Sequence, residues 1–250
     1  MHIKIDHLHC SYEKNQIIND LCLEIKSQGH LTVLGANGSG KSTFAKAMSG
    51  LLTFEGKISF NQQNIATLST NDKAKSIAYI PSKLESFDSF TTVEDFVLMG
   101  RFPHKEPFRD YSDKDYEKVA DILEELSLTH LASNSLHQLS SGQQQLTLIA
   151  QALAQESQII IFDEPTSNLD PKNALFFSKL LKSLQTTHTT ILITHDLNLA
   201  FHIKGSLLFL ARQKNHYFES SNEFFTQENL SKLYQAPFTL QTRSPGLAYE

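Results

Sequence analysis

The sequence predicts an α/β fold, in which a mostly parallel sheet with helices is joined by an antiparallel β-subdomain near the N-terminus and by a helical insertion. Three observations predict it. Residues 30–51 run from an apolar strand through a glycine-rich loop into a helix. Strand and helix patterns alternate again over residues 158–196, and a stretch with helical spacing lies between the two, at residues 86–156. Such alternation is typical of parallel sheets.

The N-terminal third is predicted to consist mainly of strands. They are IKIDHL (3–8), the apolar stretch 17–25, HLTVL (30–34), GKISF (56–60) and SIAYIP (76–81). HLTVL is a buried strand, and FAKAMSGL (44–51) has the spacing of a helix. Because the strands are short and alternate between apolar and polar residues, they predict an antiparallel sheet packed beside the core of the domain.

The middle of the chain changes to helical spacing. Helices are predicted at TVEDFVLMG (92–100), YEKVADILEELSL (116–128) and GQQQLTLIAQALAQ (142–155), and the loop RFPHKEPFRD (101–110) separates the first two. We therefore expect one domain spanning residues 1–250. Its core and β-subdomain occupy about 1–85 and 157–250, and its helical subdomain occupies about 86–156.

Strand signals return after the insertion. QIIIFDE (158–164) and TTILITHD (189–196) are predicted strands, joined by a helix that begins near Pro171, a good first-turn residue. SLLFLA (206–211) and HYF (216–218) predict a closing hairpin, followed by a last helix at QENLSKLY (227–234). A parallel sheet of this kind has its site at the carboxyl ends of the strands.

Composition excludes several classes of protein. The 250 residues carry a net charge of −5, which argues against nucleic acid as a partner. The start lacks the pattern of a signal peptide, and no apolar run approaches the roughly 18 residues of a membrane helix. We expect a cytoplasmic protein that meets a membrane only through another protein. Cys10 and Cys22 are expected to be free and half-buried, and His7 and His9 to belong to a solvated surface rather than to a metal site.

GANGSGKST, at residues 35–43, fits the phosphate-binding pattern G-x-x-x-x-G-K-[ST]. Its glycines let successive backbone N–H groups point at phosphate oxygens, and the helix that follows adds the positive end of its dipole. The lysine would reach the β- and γ-phosphates, and the first hydroxyl would bind Mg²⁺. The predicted nucleotide-binding residues are Gly35, Ala36, Asn37, Gly38, Ser39, Gly40, Lys41, Ser42 and Thr43.

Two carboxylates follow the apolar strand IIIF. Asp163 can hold the Mg²⁺ that Ser42 also touches, and Glu164 can polarise the water that attacks the γ-phosphate. The sequence therefore predicts a nucleoside triphosphatase that uses Mg²⁺, with a P-loop core.

LSSGQQQL, at residues 139–146, resembles the signature of the ABC ATPases, which usually reads L-S-G-G-Q. The other motifs of that family follow in order over essentially the whole chain, so the resemblance implies the ABC ATPase fold. It assigns a signature contact with the nucleotide of a second copy to Ser140, Ser141, Gly142 and Gln143, an interface role to Asp170, a γ-phosphate contact to His195 and an adenine-stacking role to Tyr12. Here Ser141 replaces the first glycine of the signature.

The resemblance also implies that two copies of the chain act together. In this family two copies close on ATP, each site being formed by the phosphate loop of one copy and the signature of the other. Local similarity over residues 93–104, 194–200 and 225–234 points to the subunits that power importers of ferric siderophores or related iron chelates, haem or cobalamin. Such subunits sit on the inner face of the membrane, bind integral permease subunits, and serve a substrate-binding protein indirectly.

Several alternatives stay open at the level of sequence. The chain could be a soluble ABC ATPase of the translation or DNA-repair type, or the ATPase subunit of an exporter. The sequence does not identify the cargo. Residues near 82–96 and the loop 101–109 would line the permease groove, or else Arg101, Lys105 and Arg109 only solvate a surface loop. YIPS (79–82) departs from the family's Y-x-P-Q, so Ser82 stands where a glutamine would bind Mg²⁺.

Overall fold

A computed structural model of the chain describes residues 2–12, 15–27, 29–84, 90–167, 169–211 and 215–238. The strands are β1 (Ile3–Tyr12), β2 (Asn15–Ile25), β3 (His30–Leu34), β4 (Glu55–Phe60), β5 (Gln63–Asn64), β6 (Ile77–Ile80), β7 (Ile159–Asp163), β8 (Thr189–Ile193), β9 (Ser206–Phe209) and β10 (His216–Phe218). The α-helices are α1 (Lys41–Met48), α2 (Thr70–Ser76), α3 (Val93–Leu98), α4 (Asp113–Glu125), α5 (Ser141–Ala154), α6 (Pro171–Leu184), α7 (Leu197–His202), α8 (Ser221–Phe224) and α9 (Gln227–Tyr234).

The larger sheet has six strands in the order β10-β9-β3-β8-β7-β6. Its pairs are parallel except β9 with β10, which form the predicted antiparallel hairpin. Successive buried residues of β7 alternate between its two faces: Ile159 and Ile161 pack toward α1 and the smaller sheet, whereas Ile160 and Phe162 pack toward the helical insertion and α6. A strand buried on both faces explains the uninterrupted apolar run in the sequence.

The smaller sheet is antiparallel, with strand order β2-β1-β4-β5. The predicted α/β class with an antiparallel β-subdomain is therefore confirmed. The assignment of SIAYIP to that subdomain is wrong, because β6 pairs in parallel with β7 at the edge of the larger sheet. HLTVL likewise lies inside the larger sheet, between β8 and β9.

The helical insertion shares one apolar cluster with the larger sheet. Val97 of α3, Leu123 of α4 and Ile149 of α5 are buried in the same cluster as Ile80 and Phe162 of the sheet. The segment Met99–His104 is a 3₁₀ helix, where the sequence had predicted the end of one helix and the start of a loop. Removing the insertion would thus expose one face of the parallel sheet.

Arg101 is buried, so both sequence-based interpretations of this cation, as a permease contact or as a solvated loop residue, are wrong. Its guanidinium donates to Asp115 at 2.9 Å, to Glu156 at 2.7 Å and to the carbonyl of Ala154 at 2.8 Å. Burial alone would raise the pKa of Asp115, but hydrogen bonds from Ser112 and Arg101 outweigh it and hold that pKa at about 2. The ion pairs join the segment after α3 to the start of α4 and the end of α5.

Three helices were not predicted: α2, α7 and α8. They are short, and each begins at a polar residue that caps it: Ser69, Asp196 and Ser220 accept a hydrogen bond from a backbone N–H in the first turn. Among the described residues, none of the helices combines the length and the apolar composition needed to cross a bilayer.

Candidate active site

Four strand ends meet at one edge of the larger sheet. β3, β8, β7 and β6 are consecutive parallel strands of the sheet, so their carboxyl ends share this edge. β3 leads into the glycine-rich loop, β7 ends at Asp163 and is followed by Glu164, and β8 is followed by Thr194 and His195. Predicted site residues that lie far apart in the sequence are thereby brought together.

The glycine-rich loop needs glycine at two of its positions for geometric reasons. Gly35 has φ 152° and Gly40 has φ 100°, values that other residues rarely adopt. A Cβ on Gly35 would lie 2.5 Å from the carbonyl oxygen of Leu210, and one on Gly40 would lie 2.7 Å from Ile17. The loop is therefore held tightly between β9 and the β1–β2 hairpin.

The loop combines exposed residues with a buried hydroxyl group. Ala36, Asn37 and Gly38 are exposed, whereas Thr43 is buried in the first turn of α1. Within the described part of the chain, no protein group hydrogen-bonds the buried hydroxyl of Ser39. A buried polar atom without a partner is costly, so a ligand oxygen in the loop is a natural partner for it.

Lys41 fills the interior of the loop. Its buried ammonium donates to the carbonyl of Gly35 at 2.9 Å and to that of Ala36 at 3.3 Å, and lies 3.7 Å from Glu164 Oε1. A cation held by two carbonyl groups and one carboxylate is well placed to exchange these contacts for phosphate oxygens.

Asp163 is buried and accepts two hydrogen bonds from neutral hydroxyl groups. Ser42 Oγ donates to one carboxylate oxygen at 3.3 Å, and the Tyr79 hydroxyl donates to the other at 2.9 Å. Carboxylate and hydroxyl oxygens are the ligands that Mg²⁺ prefers, so this donor set fits the ion.

Tyr79 was missed as a functional residue. It lies opposite Ile161 in the register of β6 and β7, and its ring extends to the carboxylate two residues further along β7. The signal in the sequence was a tyrosine inside an otherwise apolar strand, but interpreting it required knowing that β6 and β7 are neighbours.

Glu164 lies between two basic groups. Its backbone has φ 52°, uncommon for a residue other than glycine, and its N–H donates to the carbonyl of Ile193. Glu164 Oε2 lies 2.6 Å from His195 Nδ1 and accepts the backbone N–H of His195 at 3.3 Å. Strained conformations of this kind cluster at functional sites. The carboxylate is positioned by the loop after β8 and by Lys41, and it can accept a proton from a water.

The signature residues form the start of α5. Ser140 caps the helix through the N–H of Gln143, whose side chain in turn accepts the N–H of Ser140. Ser140 and Ser141 are exposed, and Gly142 is buried. The chain thus presents two hydroxyl groups and a helix N-terminus to the outside.

Gly142 is packed against the start of α6. A Cβ there would lie 2.6 Å from the amide nitrogen of Asn173. Asp170, which caps α6, accepts both the backbone and the side-chain N–H of Asn173, at 2.8 and 3.0 Å. Asp170 and the signature are therefore linked through one side chain, a contact that the sequence did not indicate.

Two predicted residues are only partly described. Tyr12 ends β1 opposite Asn15, but its side chain lies outside the described part of the structure. Ser82 follows β6 and is half-buried, and residues 85–89 after it lie outside the described residues. The roles given to both remain predictions.

Fold and site together define a P-loop protein that binds a nucleoside triphosphate. Residues 18–167 match the family model described as ABC transporter, and the chain belongs to this family. It is an ATP-binding protein of the ABC transporter class, an ATPase coupled to transport.

Two relatives cover nearly the whole chain. An iron chelatin transport ATP-binding protein of Helicobacter pylori is 34% identical over 241 residues, which is 95% of this chain and 94% of the relative. The iron(3+)-hydroxamate import ATP-binding protein of Bacillus subtilis is 32% identical over 236 residues, which is 93% of this chain and 87% of that protein.

Two solved structures extend the comparison. A transporter described as of the metal-chelate type, in an inward-facing conformation, is 32% identical with a TM-score of 0.84, covering 97% of this chain and 92% of that one. A dimeric ATP-binding cassette in a post-hydrolysis state, bound to ADP and phosphate, is 26% identical with a TM-score of 0.74, covering 86% of this chain and 97% of that one.

Proposed function

We propose that the chain hydrolyses ATP with Mg²⁺ to power the import of a chelated iron, such as a ferric siderophore, or of a related haem or cobalamin. The observation that carries the hydrolysis is the position of Glu164, whose carboxylate lies 2.6 Å from His195 and 3.7 Å from Lys41 beside the phosphate loop. The relatives described as iron chelatin and iron(3+)-hydroxamate transport proteins support the cargo. A carboxylate there can take the proton of the attacking water while the ammonium neutralises phosphate charge.

The remaining residues of the site would contact the phosphates, the Mg²⁺ ion and the adenine of the nucleotide. The exposed backbone of residues 36–38 and the hydroxyl of Ser39 would bind phosphate oxygens, and Ser42 and Asp163 would hold Mg²⁺. When bound, that ion neutralises charge between the β- and γ-phosphates. His195 orients Glu164 and contacts the γ-phosphate, and Tyr12, at the end of the hairpin beside the loop, stacks on adenine.

Two copies are needed for a complete site in this proposal. The exposed hydroxyl groups of Ser140 and Ser141, with Gly142 and Gln143 in the first turn of α5, would bind the γ-phosphate held by the partner's loop. Asp170 supports this through its contact with Asn173. The dimeric relative with ADP and phosphate is consistent with such an assembly. We assign the signature to a subdomain of about residues 86–156, with the core and β-subdomain at about 1–85 and 157–250.

The membrane partner would dock on the helical insertion. Phe90, Phe102 and Phe108 are exposed on or beside this insertion, with relative exposures of 89%, 68% and 108%. Large exposed apolar surface is typical of docking surfaces. We propose that integral permease subunits cover them, which places the chain at the cytoplasmic face of the membrane, and that a binding protein delivers the cargo.

Uptake in cells of the source organism tests this function. Deletion of the gene that encodes the chain is expected to abolish accumulation of radioactive iron supplied as a ferric hydroxamate. Expression of the wild-type chain, but not of the Glu164→Gln variant, is expected to restore it. Uptake of free manganese and of molybdate should be unchanged. Normal uptake of ferric hydroxamate, haem and cobalamin in the deletion strain, with the uptake of another solute lost, would contradict the proposed cargo.

Substitutions at Tyr79 and Ser82 should change the Mg²⁺ concentration needed for hydrolysis in opposite directions. Because the Tyr79 hydroxyl positions Asp163, we expect Tyr79→Phe to raise the Mg²⁺ concentration for half-maximal hydrolysis about fivefold, the effect of losing one hydrogen bond. Ser82→Gln restores a side chain long enough to bind the ion and should lower that concentration. The measurement is ATPase activity across a Mg²⁺ titration, with Tyr217→Phe on the opposite edge strand as the matched control. Superimposable curves for all variants would remove both residues from the metal site.

A further inference from the structure

The outer face of the smaller sheet carries a histidine, a carboxylate and a thiol in one cluster. His7, Asp20 and Cys22 each offer a ligand atom, and these atoms all lie within 4.8 Å of one another. All three residues are exposed, and Cys22 forms no disulfide. The sequence-based expectation of half-buried cysteines is therefore wrong, since Cys22 is exposed and Cys10 is buried. The cluster lies outside the site formed by the phosphate loop and the carboxylates after β7.

An irregular pairing of β1 and β2 brings the three side chains together. The register shifts between the pairs Ile5–Leu23 and Leu8–Leu21, so one extra residue of β1 is accommodated in this interval. His7, with φ 51°, lies in this interval on β1. Asp20, with φ 48°, lies on β2 next to Leu21, where the interval ends. Left-handed conformations at residues with side chains are costly, and such strain is found where a local geometry has a function. A regular strand would place His7 differently with respect to β2.

The contacts within the cluster already hold the ligand atoms in place. His7 Nδ1 lies 2.7 Å from Asp20 Oδ1, and the backbone N–H of His7 donates to Cys22 Sγ at 3.2 Å. Asp20 and Cys22 lie on the same face of β2 because they are two residues apart. The three ligands are therefore fixed by backbone geometry on two strands.

We propose that His7, Asp20 and Cys22 bind a divalent d-block cation, Zn²⁺ in the first instance, with water as the fourth ligand. Nitrogen, oxygen and sulfur together are the ligand set that zinc prefers, and three protein ligands with a water is a common arrangement. In a tetrahedral zinc site the ligand atoms lie roughly 3.3–3.7 Å apart, as follows from the usual zinc–ligand distances. The His7–Asp20 contact, 2.7 Å in the structure, must open by roughly 0.6–1.0 Å to reach this spacing, which rotation of two exposed side chains provides.

The site joins the two strands of the hairpin beside the phosphate loop. Ile17 of β2 lies against Gly40, and β1 ends at Tyr12, so the cation would fasten the hairpin that lines one side of the nucleotide site. His9 is a neighbour rather than a ligand: its Nδ1 faces the N–H of Asp20 and the side chain of Gln16, both at 3.3 Å. Binding of the metal should therefore stabilise the β-subdomain without entering the chemistry of hydrolysis.

Cobalt titration of the full chain tests the proposal, since Co²⁺ takes zinc sites and reports thiolate ligation by a charge-transfer absorption. We expect this absorption in the wild-type chain and in Cys10→Ala, and its loss in Cys22→Ser. His7→Asn and Asp20→Asn should each weaken cobalt binding at least about tenfold, the lower end of what even indirect contacts to a metal contribute. Asparagine is chosen because it tolerates a positive φ, so both variants keep the backbone. His130→Asn, at an exposed histidine of the helical insertion, is the matched control.

Zinc should displace the cobalt and raise the melting temperature of the wild-type chain but not of Cys22→Ser. Absence of the thiolate absorption in the wild-type chain overturns the proposal. So does an absorption that survives both His7→Asn and Asp20→Asn at full affinity, because it would come from the thiol of Cys22 alone.

Discussion

Glu164→Gln is expected to lower the rate of ATP hydrolysis by roughly 10²- to 10⁴-fold, the usual effect of losing a general base. Glutamine keeps the shape of the side chain and its contact with the N–H of His195, but it cannot accept the proton of the attacking water. ATP binding should persist because Lys41 and the phosphate loop are untouched. The measurement is phosphate release at saturating ATP, together with nucleotide affinity by equilibrium binding.

A matched control separates this role from a general effect of charge. Glu117→Gln, at an exposed position on α4, removes the same charge and should hydrolyse ATP at the wild-type rate. Wild-type turnover in Glu164→Gln would remove Glu164 from the chemistry, and a loss of ATP binding in it would make its role structural.

Gly142→Ala is expected to abolish ATP-driven pairing of two copies while the single copy still binds ATP. The added Cβ would lie 2.6 Å from the amide nitrogen of Asn173, so either that side chain must give up its hydrogen bond to Asp170 or the first turn of α5 must move. Both segments belong to the proposed surface that meets the partner. Lys41→Ala should behave in the opposite way and lose affinity for ATP, roughly 10- to 100-fold for the loss of charged hydrogen bonds to phosphate.

The clash itself can be tested by making room for it. Asn173→Ala in the Gly142→Ala background removes the atoms that the new Cβ would meet, so part of the pairing should return. Pairing is measured as mass in sedimentation experiments with ATP, on a Glu164→Gln background to prevent turnover. Unimpaired pairing of Gly142→Ala would show that the signature does not meet the partner's nucleotide.

Part of the candidate site could be proposed from the sequence because each motif is local. GANGSGKST and IIIFDE contain within a few residues the strand, the turn and the side chains that the chemistry needs, and in the structure Ser42 and Asp163 indeed lie 3.3 Å apart. Element types were also predicted well where spacing was regular, as in α4 and α5. Short capped helices such as α7, which has six residues, are too short to show a period.

What the sequence could not predict depends on contacts between distant segments. β6 was given to the wrong sheet because its four residues do not encode that its neighbour is β7, and the contact of Tyr79 with Asp163 was missed for the same reason. Arg101 looked like a surface charge because its partners are distant in the sequence: Asp115 lies in α4, and Glu156 follows α5. The cluster of His7 with Cys22 depends on a register shift that no residue type signals.

Mixing two defective variants tests most directly the claim that each site is built from two copies. On the Glu164→Gln background, and at ATP concentrations that saturate only an intact loop, Lys41→Ala leaves its own loop largely empty, and Gly142→Ala cannot complete the partner's site. An equimolar mixture of the two should form an ATP-dependent dimer in sedimentation experiments, because one of its two sites combines an intact loop with an intact signature. Each variant alone should remain a monomer, and the Glu164→Gln chain is the positive control. If the mixture sediments as two monomers at concentrations where that control is fully dimeric, the shared site is contradicted.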